Sequence, residues 1–154
     1  MSKLLTLCLI RKDTKILLGL KKRGFGEGKW NGFGGKVEKG ESIEEATKRE
    51  VEEEACIRLG NIEKAGILEF EFEGNPETLE VHIFGAVDFS GEPKESDEMV
   101  PQWFDEKELP FDKMWPDDRH WMPLFLTGRK FTGKFFFNNL NEIIDLRLSE
   151  CNNI

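Results

Sequence analysis

Residues 35–57 read GKVEKGESIEEATKREVEEEACI, a glycine-rich turn followed by an acidic segment. Ser42 and Glu45 have the spacing of a capping box, in which each side chain satisfies a backbone amide of the other residue. No glycine or proline interrupts the residues that follow. The pattern therefore predicts a helix over Ser42–Ala55.

Three glutamates of this segment share one face of the predicted helix. Residues three and four apart are neighbours on a helix surface, so Glu50, Glu53 and Glu54 should project together, with Arg49 close enough to neutralise one of them. Hard divalent cations, which prefer oxygen ligands, would offset the repulsion among these carboxylates. The alternative is an acidic helix face that is simply solvated.

The rest of the chain predicts short strands around this helix. Apolar or alternating runs bounded by turn residues are typical of strands. They occur at Leu4–Ile10, Ile16–Leu20, Lys64–Glu73, Leu79–Phe89, Met99–Phe104, Phe131–Phe137 and Ile143–Leu148. Pro116 is expected to open a short second helix that runs through Phe125. Mixed β-structure with two helices predicts an α+β fold, and a single domain over residues 1–154 is expected at this length.

Composition narrows the class of protein. Of 154 residues, 38% are hydrophobic and 34% are charged, and no apolar run reaches the roughly 20 residues of a membrane helix. Cys8, Cys56 and Cys151 are odd in number and widely spaced, which favours a reducing cytosol over a disulfide framework or a zinc site. The net charge of −8 argues against binding a nucleic acid polymer. An acidic protein could still bind a small polyphosphate that divalent cations bridge.

The acidic segment also resembles a known family motif. The residues that fit the Nudix box in register are Gly35, Glu41, Arg49, Glu50, Val51, Glu53, Glu54 and Ile57. Cys56 stands where the family has glycine, so it should either end the helix in a left-handed turn at a steric cost of about 1 kcal/mol or adopt another geometry. Further stretches are similar to the animal branch of the Nudix hydrolases that acts on oxidised purine nucleoside triphosphates: KKRGFG (21–26), WNGFGGK (30–36), ESDEM (95–99) and MWPDD (114–118). The resemblance implies a Nudix α/β/α sandwich, with a mixed sheet between helices.

The resemblance also implies a chemistry. It is Mg²⁺-dependent hydrolysis of oxidised purine nucleoside triphosphates to the monophosphate and pyrophosphate, with Mn²⁺ as an alternative ion. The implied metal ligands are Glu50, Glu53, Glu54, Glu98 and the Gly34 carbonyl. Glu53 is the first choice for helping to deprotonate the attacking water, with Glu98 second, and Arg49 would orient a catalytic glutamate.

A purine pocket is expected beside the metal ligands. Asn31 offers both a donor and an acceptor, and Asp117 with Asp118 could present one protonated and one ionised carboxyl group to a base. The alternative is that these aspartates cap the second helix. The other expected substrate contacts are Thr6, Lys21, Phe25, the backbone of Phe33, Gly34, Gly35, Lys36, Phe70, Phe72, Leu79, Trp115, Pro116 and Trp121, together with Leu7 and Met99. Phe25, Phe70, Phe72, Trp115 and Trp121 would form aromatic walls, with Trp115 stacking on the purine.

These expectations describe a monomeric enzyme whose partner is a small nucleoside triphosphate, not a membrane or a nucleic acid polymer. A cytoplasmic location is expected, with nuclear or mitochondrial fractions left open. Two alternatives remain. One is a Nudix hydrolase of another nucleoside diphosphate-linked substrate, such as a dinucleoside polyphosphate or a nucleotide sugar. The other is a nucleotide-binding module without catalysis, which the intact glutamates disfavour.

Overall fold

The computed structural model describes residues 2–154, which form a mixed eight-stranded sheet, a separate two-stranded ladder and two α-helices. The strands are β1 (Ser2–Lys12), β2 (Lys15–Lys21), β3 (Trp30–Asn31), β4 (Arg58–Leu59), β5 (Glu63–Phe72), β6 (Thr78–Ala86), β7 (Phe89–Ser90), β8 (Met99–Asp105), β9 (Lys130–Phe137) and β10 (Ile143–Cys151). The helices are α1 (Ile43–Ala55) and α2 (Asp118–Leu126), with a short 3₁₀ turn at Phe111–Lys113. No helix within residues 2–154 is long and apolar enough to cross a membrane.

The large sheet has the order β10-β9-β5-β6-β1-β2-β3, and β8 also pairs with β2. The β1–β6 and β5–β9 pairs are parallel, whereas the remaining pairs are antiparallel. Strand β1 pairs with β2 only through Ile10, Arg11 and Lys12. The first half of β1 is therefore open on that side to another segment.

The two helices cover opposite faces of this sheet. Cys8 and Ile10 of β1 pack in one cluster with Val51 of α1. Leu9, which points to the other face, packs with Trp121 of α2. This alternation follows from the two-residue period of a strand. The predicted α/β/α sandwich with a mixed sheet is confirmed.

Both ends of α1 have defined caps. The predicted capping box is confirmed, since the Ser42 hydroxyl accepts from the Glu45 amide and the Glu45 carboxylate accepts from the Ser42 amide. At the other end Cys56 adopts the left-handed conformation, with φ 62° and ψ 25°. A residue with a β-carbon pays about 1–2 kcal/mol there relative to its relaxed state. The substitution of cysteine for the family's glycine thus leaves the helix end in place but strained.

Other predicted boundaries are wrong by a few residues. The strand expected over Leu79–Phe89 ends at Ala86, because its pairing with β1 ends there and its pairing with β5 ends at Gly85. The Asp88 carbonyl then accepts from the Gly60 amide, and Phe89–Ser90 pair with β4 as β7. The helix expected from Pro116 begins at Asp118, because a turn closed by the Asp118 amide and the Trp115 carbonyl precedes it. The other predicted strands are present, with ends that differ from the predicted ones by at most three residues.

Candidate active site

The glycine-rich segment after β3 lies against the first half of β1. The Thr6 amide donates to the Gly35 carbonyl at 2.9 Å, and the Val37 amide donates to the Leu4 carbonyl at 3.1 Å. A β-carbon on Gly34 would overlap the carbonyl of Thr6, so glycine is what lets the two backbones approach this closely. The segment is thereby fixed between β1 and α1.

The same segment contacts the acidic face of α1. The Gly34 amide donates to Glu54 Oε1 at 2.9 Å, and the Glu54 residue is only 3% exposed. Burial, together with the neighbouring charges of Glu50 and Glu98, raises the pKa of Glu54 to about 8. Burial also raises the pKa of Glu50, whose carboxyl group lies where a β-carbon on Gly35 would point. The glycine turn and α1 thus enclose carboxylates that are costly to ionise.

Arg49 connects the turn before α1 to two glutamates on the helix. It donates to Glu41 through Nε at 2.6 Å and through Nη2 at 2.9 Å, and Nη2 also reaches the Lys36 carbonyl at 3.1 Å. Its Nη1 donates to Glu50 at 2.9 Å and to Glu53 at 3.3 Å. The hydrogen bonds from Arg49 hold the pKa of Glu41 at about 2. Glu41, which carried no role in the sequence-based site, therefore anchors the arginine.

Glu53 and Glu98 have more open surroundings. The Glu53 side chain is 58% exposed. Glu98 forms ion pairs with Lys21 at 3.3 Å and with Arg23 at 2.9 Å, and the hydrogen bonds from Arg23 and Lys21 lower its pKa. Across residues 2–154, no three acidic, histidine or cysteine side chains already converge around one point. The predicted ligands are neighbours, but they are not gathered into a closed cage.

A cavity of about 690 Å³ opens beside these glutamates. Its lining includes the following predicted contacts: Thr6, Leu7, Lys21, Phe25, Asn31, Gly34, Gly35, Phe70, Phe72, Leu79, Met99, Trp115, Asp117 and Asp118. Glu54 lines it as well, so the cavity reaches the acidic face of α1.

Trp115 lies at the centre of the aromatic wall of this cavity. Its ring centroid is 4.9 Å from that of Phe25 and 6.0 Å from that of Phe137, and Phe72 stacks on Phe137 at 5.2 Å. The ammonium group of Lys29 lies 5.4 Å from the Trp115 ring, within the range of a cation–π interaction. Flat aromatic faces of this kind suit a planar ligand.

Buried polar side chains line the same cavity, and two of their oxygens have no partner among the described residues. Asp117 and Asp118 are both buried, and the indole Nε1 of Trp121 donates to Asp117 Oδ2 at 2.9 Å. The Asp117 side chain makes no helix-capping hydrogen bond, so the capping alternative does not describe it. Asp118 Oδ2 and Thr6 Oγ1 are buried without a partner among the described residues. Burial raises the pKa of Asp117, and burial together with the Asp117 charge raises the pKa of Asp118 well above its usual range.

Comparison with known proteins assigns this arrangement to a family. The family model described as the NUDIX domain matches residues 3–125. The chain belongs to the NUDIX family. A zebrafish (Danio rerio) protein named oxidized purine nucleoside triphosphate hydrolase is 50% identical over 153 residues, covering 99% of this chain and 98% of its own length. The mouse (Mus musculus) protein of the same name is 49% identical over 149 residues, covering 97% and 96% of the two chains.

A solved structure shows the same NUDIX fold. The mutator MutT protein of Bacillus halodurans superimposes with a TM-score of 0.86, at 31% identity, over 96% of this chain and 97% of that one. NUDIX hydrolases generally use a divalent cation. The residues of this chain fit one, because Glu54 is a buried carboxylate whose hydrogen-bond partner is one backbone amide, with Glu50 and Glu98 close enough to raise its pKa. Positive charge supplied among these oxygens would relieve their repulsion.

Some predicted contacts of this NUDIX protein lie outside the cavity. The Phe33 side chain is fully buried in the core on the α1 side, and the Phe33 amide and carbonyl both pair with Cys8. Lys36 is exposed and does not line the cavity. Trp121 is buried behind Asp117 and stacks on Phe131 at 5.7 Å, so it supports the wall without lining it. Pro116 does not line the cavity either.

Sequence reasoning missed the far rim of the cavity, which the two turns after β5 and β9 supply. It is lined by Glu73, Asn75, Glu77, Asn138, Asn139 and Asn141, together with Lys3 and Phe137. The only signal in the sequence was the clustering of asparagines after β9, which by itself indicates a turn.

Proposed function

We propose that this NUDIX protein hydrolyses oxidised purine nucleoside triphosphates to the monophosphate and pyrophosphate, and so removes them from the nucleotide pool. The observation that carries the proposal is the joining of two sites in one cavity. Trp115 and the Asp117–Asp118 pair line its wall, and Glu54 of the acidic helix lines it as well. The two relatives named for this activity align over nearly the whole chain.

The acidic face of α1 would hold the divalent cation, which we propose to be Mg²⁺, with Mn²⁺ as an alternative. The proposed ligands are Glu50, Glu53, Glu54, Glu98 and the Gly34 carbonyl. When bound, such a cation screens polyphosphate charge and lowers the pKa of a coordinated water. The raised pKa of Glu54 supports this assignment, because a carboxylate buried at this cost needs a compensating charge.

The protein's own groups have distinct tasks around the phosphates. Arg49, anchored by Glu41, holds Glu50 and Glu53 in one orientation. The exposed carboxylate of Glu53 is our first choice for accepting a proton from the attacking water, and Glu98 is our second. Lys21 lines the cavity, and its ammonium group can contact a phosphate if Glu98 turns away from it. Orienting these groups before substrate arrives reduces the entropy lost in the reaction.

Base recognition falls to Asn31, Asp117 and Asp118. The side-chain oxygen of Asn31 accepts from the Gly32 amide at 2.9 Å, so the amide nitrogen remains to donate to a base. The unpartnered Asp118 oxygen needs a hydrogen-bonding ligand, because a buried polar atom without one is costly. A purine edge with adjacent donors and acceptors meets that need, and Trp115 would stack on its ring.

The activity is tested by pyrophosphate release from 8-oxo-dGTP and from dGTP, with Mg²⁺ and with a chelator. Glu53→Gln should lower turnover by at least about 100-fold, the range for losing a general base. The matched control is Glu52→Gln, because Glu52 is the exposed neighbour on the same helix and pairs with Arg58 instead. If the protein hydrolyses dinucleoside polyphosphates or nucleotide sugars but neither triphosphate, it has another NUDIX activity. Tight binding without any turnover would make it a binding module.

Two further properties belong to the proposal. We propose that residues 1–154 form one domain, since both core clusters pack on the same sheet. We also propose that the enzyme acts as a monomer, because one chain supplies every group named here. Sedimentation of the active protein at a single-chain mass, near 17.8 kDa, is the expected result.

A further inference from the structure

Ser96 joins the loop that carries Glu98 to the C-terminal end of α1. Its hydroxyl donates to the Glu54 carbonyl at 2.8 Å, across 42 positions of the sequence. The same oxygen accepts from the Glu98 amide at 3.3 Å and from the Met99 amide at 3.2 Å. The Ser96 amide in turn donates to the Met99 carbonyl at 3.0 Å. One half-buried side chain therefore connects the last turn of α1 with the start of β8.

Two backbone hydrogen bonds fix the same loop on either side of Ser96. The Lys94 amide donates to the Ala55 carbonyl at 3.0 Å, and so it satisfies another of the carbonyls that the end of a helix leaves free. The Lys22 amide donates to the Glu98 carbonyl at 2.8 Å. These two bonds involve only the main chain, whereas the connection through Ser96 depends on the identity of a side chain.

We propose that Ser96 is a positioning residue for the divalent cation, because it holds the Glu98 backbone close to Glu54 so that both carboxylates can bind the same ion. The inference rests on the proposed function for its set of metal ligands. Glu54 is fixed at two points, since its carboxylate accepts from the Gly34 amide and its carbonyl accepts from the Ser96 hydroxyl. The two proposed ligands that lie outside α1, Gly34 and Glu98, are thus both fastened to Glu54.

The Glu98 side chain is held less firmly than its backbone. It is 38% exposed and pairs with Lys21 and Arg23, and ion pairs between partly exposed side chains stabilise only weakly. A cation that attracts this carboxylate therefore needs only a rotation of the side chain, because Ser96 already holds the main chain in place. Without the hydroxyl, binding of the cation would itself have to order the loop, and that cost lowers affinity.

The first test measures the binding of Mn²⁺ to the full chain by electron paramagnetic resonance, without any nucleotide. Ser96→Ala should weaken the affinity by at least about tenfold, the lower end of the range for losing a group that orients a metal ligand. Ser90→Ala is the matched control, because it makes the same substitution at the exposed end of β7, and it should leave the affinity unchanged. Equal affinities in Ser96→Ala and the wild type would overturn the proposal.

A double-mutant cycle separates the positioning of Glu98 from a general effect on the fold. Glu98→Gln removes the charge of one proposed ligand and should weaken Mn²⁺ binding by itself. Adding Ser96→Ala to this variant should then cause little further loss, because the serine acts through Glu98. Losses that simply add would mean that Ser96 acts on α1 or on the whole fold, and they would refute the inference.

Amide hydrogen exchange of the wild-type protein gives an independent measurement. Because the Glu98 and Met99 amides already donate to Ser96, they should exchange far more slowly than in an unstructured peptide, and adding Mg²⁺ should change their rates little. Rapid exchange that slows only with Mg²⁺ would show that the cation orders the loop, and it would overturn the proposal even if Ser96→Ala fails to fold. If the wild-type protein binds Mn²⁺ but hydrolyses no nucleotide, the proposed function fails, and these measurements still decide the role of Ser96.

Discussion

Replacing Asp117 by asparagine should separate activity from stability. The Asp117 residue is 5% exposed, and its carboxylate accepts from the Trp121 indole at 2.9 Å while facing the cavity. Asparagine has the same shape but lacks the negative charge. Losing one hydrogen bond between a charged group and the base costs about 1.5–3 kcal/mol, so kcat/KM for an oxidised purine triphosphate should fall roughly 10- to 150-fold.

Stability should move in the opposite direction, and the effect should depend on pH. Burial raises the pKa of Asp117 and Asp118 in the folded state, so the folded protein keeps a proton that the unfolded chain loses above a pH of about 4. The free energy of unfolding therefore falls as the pH rises from there. Removing the Asp117 charge relieves part of that fall. We expect Asp117→Asn to melt at the same temperature as the wild type or higher, with the larger gain at higher pH.

The assay is pyrophosphate release with 8-oxo-dGTP, paired with thermal unfolding at a pH of about 5 and of about 8. Asp105→Asn is the control, because Asp105 is exposed at the end of β8 and its carboxylate accepts from the nearby Lys107 amide. Equal losses of activity in both variants would remove Asp117 from the base pocket. A lower melting temperature in Asp117→Asn would show that its charge is stabilising, against the reasoning from burial.

Three further substitutions test the end of α1, the contacts of Arg49 and the glycine-rich segment. Cys56→Gly should relieve the left-handed strain at the end of α1 and raise the melting temperature by about 2–4 °C. Cys56→Ala, which keeps a β-carbon, should not raise it. Differential scanning calorimetry measures both, and a lower melting temperature in the glycine variant would indicate a packing role for the thiol. Arg49→Lys cannot make the two-point contact with Glu41, so the affinity for Mn²⁺, measured by electron paramagnetic resonance, should weaken by roughly tenfold. Unchanged affinity would mean that Glu50 and Glu53 keep their orientation without Arg49. Gly34→Ala should cost about 1–3 kcal/mol of unfolding free energy, because the added carbon meets the Thr6 carbonyl, and a fully stable variant would show that the segment can shift freely.

Local sequence signals were enough to predict α1, its N-terminal cap and the face on which its glutamates lie. The capping box of Ser42 and Glu45 and the spacing of the glutamates depend on residues within one helix, and such patterns determine which side chains share a face. The left-handed geometry of Cys56 was one of the outcomes that the sequence suggested, because glycine is the residue that ordinarily occupies that position. The motif also contained Glu41, although its contact with Arg49 became evident only in three dimensions.

The contacts that the sequence did not predict depend on long-range packing. Trp121 was expected in the wall of the cavity, but its position one turn after Asp117 places its indole behind that carboxyl group, and hydrophobicity alone does not distinguish the two faces. The pairing of Glu98 with Lys21 joins residues that are 77 positions apart. The asparagines of the far rim reach the cavity because β9 lies beside β5 in the sheet, a register that no local pattern encodes.

The proposed selectivity for oxidised purines is tested most directly by competition in one reaction. 8-oxo-dGTP is mixed with an excess of dGTP and Mg²⁺, and chromatography follows the disappearance of each triphosphate and the appearance of each monophosphate. The ratio of the two rates, corrected for concentration, gives the ratio of the specificity constants without separate kinetic fits. We expect 8-oxo-dGTP to be consumed first and Asp117→Asn to reduce this advantage. Consumption of both triphosphates in proportion to their concentrations would contradict the proposed selectivity.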